Sequence, residues 1–388
     1  MAGSTLPSAQ RLSQTCLKAA VGFWFVVTIA GQLLFAFTVA SFYGLTAARG
    51  QVSSWNRVMP HGYVAGDIAG NLVVALHLAS AVIIILSGAI QIAPVSRNRA
   101  PAFHRWNGRI YMVAAFSVSL AGLYMMATRG TAGGFVHHLG QAIDAVLIML
   151  CAVMAARYAI AGEYSTHRRW ALRLYLVVSA SLFIRAGVFL LGFGLAQDTA
   201  LTVMSYAQYL VPLAVLELYL RVKERGGVQS RFVMAAGLSA LTLVLAAGIS
   251  VVTLSAWAPE VKRAYDSRQS IAAALSATIA SSGIEEAIRQ YRELEAVPSP
   301  AYNMDEAELN ALGYQLIRAG QLPDAIRIFQ LNAEAFPQSS NTYDSLGEAY
   351  MVHGDKPLAI ANYQESLRLN PRNSNGVKML RKLSGPSS

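Results

Sequence analysis

Charged residues and cysteines are scarce in this sequence. Only 13% of its 388 residues are charged and 54% are hydrophobic, whereas an ordinary soluble protein has roughly 25% charged residues. The two cysteines, Cys16 and Cys151, lie in or beside apolar runs, which excludes a disulfide framework and a cysteine-based metal site in the polar C-terminal part. The sequence also contains no phosphate-binding loop, zinc-protease motif, nucleophile elbow or dinucleotide-binding glycine motif. It therefore gives no support to soluble-type catalysis and leaves open whether the protein is an enzyme.

Acidic residues are also rare in the first two-thirds of the chain. Residues 1–257 contain 18 Lys and Arg against 6 Asp and Glu, whereas residues 258–388 contain 13 against 15. The formal net charge of +10 therefore belongs to the apolar part. Basic residues that flank membrane spans explain this excess, and we expect no nucleic-acid partner.

Seven apolar runs are long enough to cross a bilayer, which requires about 20 predominantly apolar residues. The predicted spans are 18–42, 67–94, 108–128, 136–160, 170–195, 200–222 and 231–257. We therefore expect an all-α fold, in which residues 1–257 form a polytopic bundle of about seven transmembrane helices embedded in the lipid bilayer. The core of the bundle is predicted at 67–195.

The loops between these spans differ in basic residues. Lys and Arg concentrate in or beside the loops 95–107, 161–169 and 223–230, and the intervening loops have few. Because basic loops favour the cytoplasmic side, the N-terminus is predicted inside and the polar C-terminal part outside. The expected location is the inner membrane of a bacterium, as a multi-pass protein with a periplasmic C-terminal domain.

The C-terminal part contains a 34-residue repeat. Residues 309–337 align with 343–371, so that three small or aromatic positions recur. The recurring residues are Gly313, Ala325 and Phe329 in the first copy and Gly347, Ala359 and Tyr363 in the second. This pattern resembles the tetratricopeptide (TPR) repeat, in which small residues allow two helices to approach and an aromatic ring fills the gap.

The repeat predicts a small TPR-like α-solenoid. We expect a linker and a degenerate helical hairpin over 258–304, then two TPR repeats with a capping helix over 305–384. Such repeats offer a concave surface for a peptide or a partner protein. Alternatively, they pack only on the bundle or on themselves.

Six of the seven histidines lie in residues 1–257. On the predicted topology, His77 lies within the second span, and His137 and His138 begin the fourth span on the outer side. His104 and His167 lie at the inner ends of the third and fifth spans. Paired imidazoles from facing helices of a bundle are a way to hold haem b, and two such pairs would form an electron path across the bilayer. Taken singly, the four histidines near the interfaces also fit as ordinary interfacial residues.

Only one member of the adjacent pair His137 and His138 can face the bundle interior, because neighbours on a helix point about 100° apart. The sequence leaves this choice open. Two further ionisable residues, Asp144 and Arg185, lie inside predicted spans, where charges are costly and usually functional. Arg185 needs an anion, and we expect either Asp144 or a haem propionate.

Two stretches carry a resemblance to known families. "HRWNGRIY" (104–111), and "HRRWALRLY" (167–175) followed by "RAG" (185–187), occur within residues 67–190, which resemble an uncharacterised family of bacterial predicted membrane proteins. The order of the histidines is also similar to that of the two-haem transmembrane cytochrome b superfamily, which includes ascorbate-dependent and ferric-reducing enzymes. This second resemblance implies one haem b on His77 with His137 or His138, and another on His104 with His167.

Three functional hypotheses follow. The first is a haem-b-binding membrane protein that passes electrons from a donor to an acceptor, neither of which the sequence identifies. The second is a non-enzymatic membrane anchor whose TPR repeats recruit a protein partner. The third is transport of a small solute or a proton, for which the sequence shows no internal repeat of the bundle and no broken helix.

Overall fold

The computed structural model describes residues 8–59, 61–130, 134–192, 196–266, 268–297 and 301–384. The chain forms two compact units, Met1–Asp266 and Ser267–Ser388. The predicted domain limits at 257 and 304 stay predictions, and residues 267 and 298–300 of the predicted linker lie outside the described residues.

The first unit consists of helices. In chain order they are α1 (Ser8–Val39), α2 (Leu45–Ala48), α3 (Ile68–Ile92), α4 (Pro94–Arg99), α5 (Pro101–Thr128), α6 (Phe135–Ile160), α7 (Tyr164–Val178), α8 (Ala180–Leu191), α9 (Gln197–Arg225), α10 (Val228–Val252) and α11 (Ala258–Tyr265). Short π-helical turns at Ala40–Gly44 and Thr253–Trp257 continue α1 into α2 and α10 into α11. A 3₁₀ helix covers Val52–Arg57.

Among the described residues, six helical segments are long and apolar enough to cross a membrane, and α7 with α8 forms a seventh if the bent pair is one span. The predicted all-α membrane bundle is thus confirmed. Residues 193–195 of the fifth predicted span lie outside the described residues. The outward faces of the helices are apolar, as lipid contact requires: the exposed side chains include Ile68, Val113 and Ile160.

The fifth span is broken between α7 and α8, where the axis bends by 43°. Ser179 lies at the break and its Oγ donates a hydrogen bond to the Tyr175 carbonyl oxygen at 2.7 Å. Gln32 of α1 completes a buried cluster, because its Nε2 donates to Ser179 Oγ at 2.7 Å and its Oε1 accepts from the Tyr175 hydroxyl at 3.0 Å. Polar side chains inserted at a helix break stabilise the bend. The sequence showed no broken helix, so this bend is a finding of the structure, and it rests on a contact between α1 and α7–α8 that the sequence does not display.

The second unit is also helical. Its helices are α12 (Ile271–Ser282), α13 (Ile284–Ala296), α14 (Glu306–Arg318), α15 (Leu322–Ala335), α16 (Ser340–His353), α17 (Lys356–Leu369) and α18 (Ser374–Ser384). Two very short strands, β1 (Gln269–Ser270) and β2 (Tyr302–Asn303), pair in parallel.

The 34-residue spacing is visible in these helices, since α14 and α16 begin 34 residues apart, as do α15 and α17. The predicted packing residues lie at the helix contacts. Phe329 and Tyr363 are fully buried, with Gly313 against the ring of Phe329 and Gly347 against the ring of Tyr363. Ala325 and Ala359 are fully buried on the same helices as the two rings.

Candidate functional site

The bundle contains a partly open cavity of about 810 Å³. This volume is within the range of roughly 300–1,000 Å³ that is typical of small-molecule and cofactor sites. Most of the wall is apolar. Its polar and charged side chains include His77, Arg129, His137, Asp144, Arg185 and Gln208.

His77 reaches this cavity from the middle of α3. Its Nδ1 lies 3.0 Å from the Val118 carbonyl oxygen of α5. A carbonyl oxygen can only accept, so Nδ1 carries the proton in this contact and Nε2 keeps its lone pair. Gly122 lies one turn after Val118 beside the ring, where an added Cβ would be in ordinary contact, 3.4 Å from Cε1 of His77.

His137 borders the same cavity from α6, with 6% of the residue exposed. Its Nδ1 lies 3.3 Å from the Leu201 carbonyl oxygen of α9. Again the carbonyl places the proton on Nδ1 and leaves the lone pair on Nε2. The neighbouring His138 ring lies 5.9 Å away, centroid to centroid, and is not among the residues that line the cavity. The structure therefore selects His137 as the member of the pair that borders the same cavity as His77.

Asp144 lies two helical turns after His137 and faces the same cavity. Its Oδ1 is buried and has no hydrogen-bond partner among the described residues. Arg185 borders the cavity from α8, where its Nη1 donates to the Ser181 carbonyl oxygen at 2.6 Å and its guanidinium lies 4.4 Å from the centroid of the Phe35 ring.

Within the described part of the chain, Arg185 forms no ion pair, neither with Asp144 nor with another carboxylate. Of the two anions expected for Arg185, Asp144 is thus not in contact with it. A cation that borders a mostly apolar cavity and forms no ion pair there is suited to bind an anionic group of a ligand.

Arg129 closes the cavity near the C-terminal end of α5 and was not recognised as a site residue from the sequence. Its side chain is only 4% exposed and forms an ion pair with Asp67 at 2.7 Å. It also donates to the His61 carbonyl oxygen at 2.7 Å and to Asn71 Oδ1 at 3.0 Å. Asp67 in turn caps α3 by accepting from the Gly70 amide. The sequence signal for this network is Asp67 followed four residues later by Asn71 at the start of α3. This pair does not identify Arg129 as its partner.

His104 and His167 lie on helices, near the N-termini of α5 and α7, and not in loops. They are close enough to interact electrostatically, but neither borders the cavity described above. His167 Nδ1 lies 2.8 Å from the Ala155 carbonyl oxygen, which leaves its Nε2 available in the same way as in His77.

His104 differs, because Gln91 Nε2 lies 3.2 Å from its Nε2. Asn107 fixes the orientation of that amide by donating to Gln91 Oε1 at 2.9 Å, so the Gln91 amide nitrogen faces the imidazole. His104 Nδ1 is 3.5 Å from Ser96 Oγ. The two histidines of the inner pair are thus near enough for their charges to interact, but one of their Nε2 atoms already has a partner.

The neighbouring basic residues, Arg105 and Arg109, are exposed, and Arg109 lies 5.3 Å from the centroid of the Trp106 ring. They fit an interfacial collar. In the described part of the chain, no group of three or more His, Cys, Asp and Glu side chains is arranged to hold a metal ion. The arrangement in the cavity is instead a pair of imidazoles.

Comparison with known proteins agrees with the membrane character of the bundle. A search of curated proteins finds no match. Residues 74–220, which include both histidine pairs, match the family described as "Predicted membrane protein (DUF2306)". Over this stretch the chain is thus similar to an uncharacterised family of membrane proteins, and the resemblance expected from the sequence is confirmed to that extent.

Proposed function

We propose that the bundle binds haem b between His77 and His137 and carries electrons within the membrane. The observation that carries the proposal is the shared hydrogen-bond pattern of the two imidazoles. Both border one cavity, and each has its Nδ1 on a backbone carbonyl, at 3.0 Å for His77 and 3.3 Å for His137. Histidines that ligate a metal usually donate their second ring N–H to such an oxygen, which fixes the tautomer and orients the lone pair.

The rest of the cavity fits the same group. Bound haem supplies a reversible one-electron couple at its iron. Arg185, which lacks a carboxylate partner, provides the positive charge that a propionate requires. The mostly apolar walls suit the faces of a porphyrin ring.

We also propose that a second haem binds between His104 and His167. The Nε2 of His167 is available as a ligand, because its Nδ1 contacts the backbone. The Nε2 of His104 would first have to lose its contact with the Gln91 amide before it could bind iron. Arg105 and Arg109, on the same helix as His104, would face the propionates there. The two sites would then be occupied to different extents, with the His77–His137 site the stronger.

The test is the visible spectrum of the full chain, purified in detergent after expression with added haem precursor. We expect a Soret band and sharp reduced α-bands, together with one to two haems per chain. His77→Ala and His137→Ala should each remove the major component. His138→Ala is the matched control, since it changes a neighbouring imidazole that does not line the cavity, and should keep the spectrum. A colourless preparation that is helical and monodisperse contradicts the proposal.

One observation favours transport as a second candidate function. The span formed by α7 and α8 is broken at Ser179, and Asp144 and Arg185, which form no ion pair among the described residues, border the cavity next to it. Broken helices and intramembrane charges are typical of transporter sites. A colourless protein in liposomes that takes up protons, and loses this activity on Asp144→Asn, would support transport instead of electron transfer.

For the C-terminal unit, we propose two TPR repeats that bind a protein or peptide partner on the periplasmic side of a bacterial inner membrane. The 34-residue spacing of the hairpins and the buried rings of Phe329 and Tyr363 support the repeats. If the bundle binds no cofactor, this unit makes the protein a membrane-anchored scaffold. An alkaline phosphatase fused after Ser388 should be active if the unit is periplasmic, and inactivity of a stable fusion contradicts that location.

A further inference from the structure

A second cavity, of about 890 Å³, lies in the bundle between α1, α7, α8, α9 and α10. Its walls are formed mainly by apolar side chains such as Trp24, Leu172, Phe183 and Leu216. Helix α8 lies between this second cavity and the cavity that His77 and His137 border. Arg185 lines the first cavity, whereas Ala186 and Gly187 line the second.

This second cavity is an open groove, and one of its ends is basic. Lys18, Arg168 and Lys223 border it from α1, α7 and α9, and all three side chains are exposed. Arg169 and Glu224 lie at the same end but form an ion pair with each other, so their charges cancel. Three positive charges from three helices therefore converge at one end of an apolar groove.

Carboxylates do not neutralise these three cations. In the described part of the chain, Lys18 and Arg168 form no ion pair, and the contact identified for Lys223 is with the Tyr219 ring, 5.8 Å from its centroid. The excess of basic residues on cytoplasmic loops explains the sign of the charges. It does not explain why they surround the mouth of a cavity that extends into the apolar part of the bundle.

The groove is long enough for a lipid chain. It extends along the α7–α8 pair from Arg168 to Leu190, which corresponds to roughly 30 Å at about 1.5 Å per helical residue. An acyl chain of one leaflet needs about half of the hydrocarbon thickness of roughly 30 Å. We infer that this groove binds an anionic phospholipid, with the phosphate between Lys18, Arg168 and Lys223 and an acyl chain along the apolar wall.

The structure offers a way to fill the groove without disturbing the fold. Gly22 lines it from α1, and a Cβ added there meets no atom within 4 Å. Gly237 of α10 is equally open but does not line the groove. Gly22→Phe should therefore occupy the lipid site, and Gly237→Phe is a matched control with the same change on a membrane helix.

The charges can be tested in the same matched way. The triple variant Lys18→Gln, Arg168→Gln, Lys223→Gln removes the basic end of the groove. Its control is Arg97→Gln, Arg99→Gln, Arg157→Gln, which removes three exposed cations of α4 and α6 that lie outside the groove. At about 1 kcal/mol for each basic residue near an anionic lipid surface, the loss of three cations corresponds to a reduction of roughly 100-fold in affinity.

The experiment is native mass spectrometry of the full chain released from detergent micelles that contain dioleoyl phosphatidylglycerol, dioleoyl phosphatidylcholine or ubiquinone. We expect one retained phosphatidylglycerol per chain, reduced about 100-fold in affinity by the groove triple variant and abolished by Gly22→Phe. Both control variants should bind as the unaltered protein does. Equal retention of phosphatidylcholine, retention of ubiquinone instead, full competition by inorganic phosphate, or equal losses in the control variants would each overturn the inference.

Discussion

The two repeat glycines, Gly313 and Gly347, occupy equivalent positions but have unequal space around them. A Cβ added at position 313 would lie 2.5 Å from both Cε1 and Cζ of Phe329. At position 347 the nearest atom would be Cγ of Tyr363, at 3.2 Å. The same substitution, glycine to alanine, should therefore have different effects in the two hairpins.

The expected magnitudes follow from two opposing effects. Alanine stabilises a helix interior by about 1 kcal/mol relative to glycine. Overpacking of a close-packed core costs about 1–3 kcal/mol. A separation of 2.5 Å is about 1 Å less than the optimal carbon–carbon contact of roughly 3.5–4.0 Å, and Phe329 is fully buried in the core of this unit. Gly313→Ala should thus destabilise its hairpin by about 2 kcal/mol, while Gly347→Ala should be close to neutral.

Hydrogen–deuterium exchange of the full chain in detergent, read by mass spectrometry, measures this locally. At about 1.4 kcal/mol per factor of ten, the amides of α14 and α15 should lose roughly 30-fold of their protection in Gly313→Ala. Those of α16 and α17 should change less than threefold in Gly347→Ala. Peptides from α3 to α6 serve as internal controls. Equal loss of protection in the two variants would refute the packing argument.

Three further predictions rest on single contacts. Tyr363→Phe should leave the C-terminal unit as stable as before or more so, because the Tyr363 hydroxyl is buried without a hydrogen-bond partner in the described structure. Tyr314→Phe should instead cost about 1 kcal/mol of stability, because the Tyr314 hydroxyl donates to Glu348 at 2.8 Å. Urea unfolding of the two variants compares their free energies of unfolding. Asp67→Asn should lower the melting temperature of the bundle, since it leaves the buried Arg129 cation with neutral acceptors only, at a cost of about 1–3 kcal/mol. Burial raises the pKa of Tyr291 to about 12, so the unfolded chain loses this proton at a lower pH than the folded chain does. The stability of the C-terminal unit should therefore fall as the pH rises from about 10 towards 12. Exchange protection that stays constant over this range would contradict the burial argument.

The membrane bundle and its helices could be predicted from the sequence. Because lipid cannot satisfy backbone polar groups, each span needs an uninterrupted apolar run of about 20 residues, and such runs are directly visible. The 34-residue period of the second unit is visible for a related reason, since each hairpin places its small and aromatic residues at the same positions. The choice of His77 also came from the sequence, because an imidazole inside a span is rare.

Tertiary structure decided everything that depends on how a helix is rotated about its axis. His137 and His138 are equivalent in the sequence, and only the packing of α6 against α9 directs His137 to the cavity. The break at Ser179 depends on Gln32, which is 147 residues away in the chain. The ion pair of Arg129 with Asp67 and the contact of Gln91 with His104 likewise join separate helices.

The sequence by itself therefore determined where the apolar membrane spans lie, because hydrophobic length is a local property of the chain. It also supplied the histidines and charges from which a site can be built. Which of these side chains share a cavity, and which find a partner elsewhere, depends on the rotation and contact of helices far apart in sequence. Only the folded bundle fixes those, because each apolar helix can turn several similar faces towards its neighbours or towards lipid.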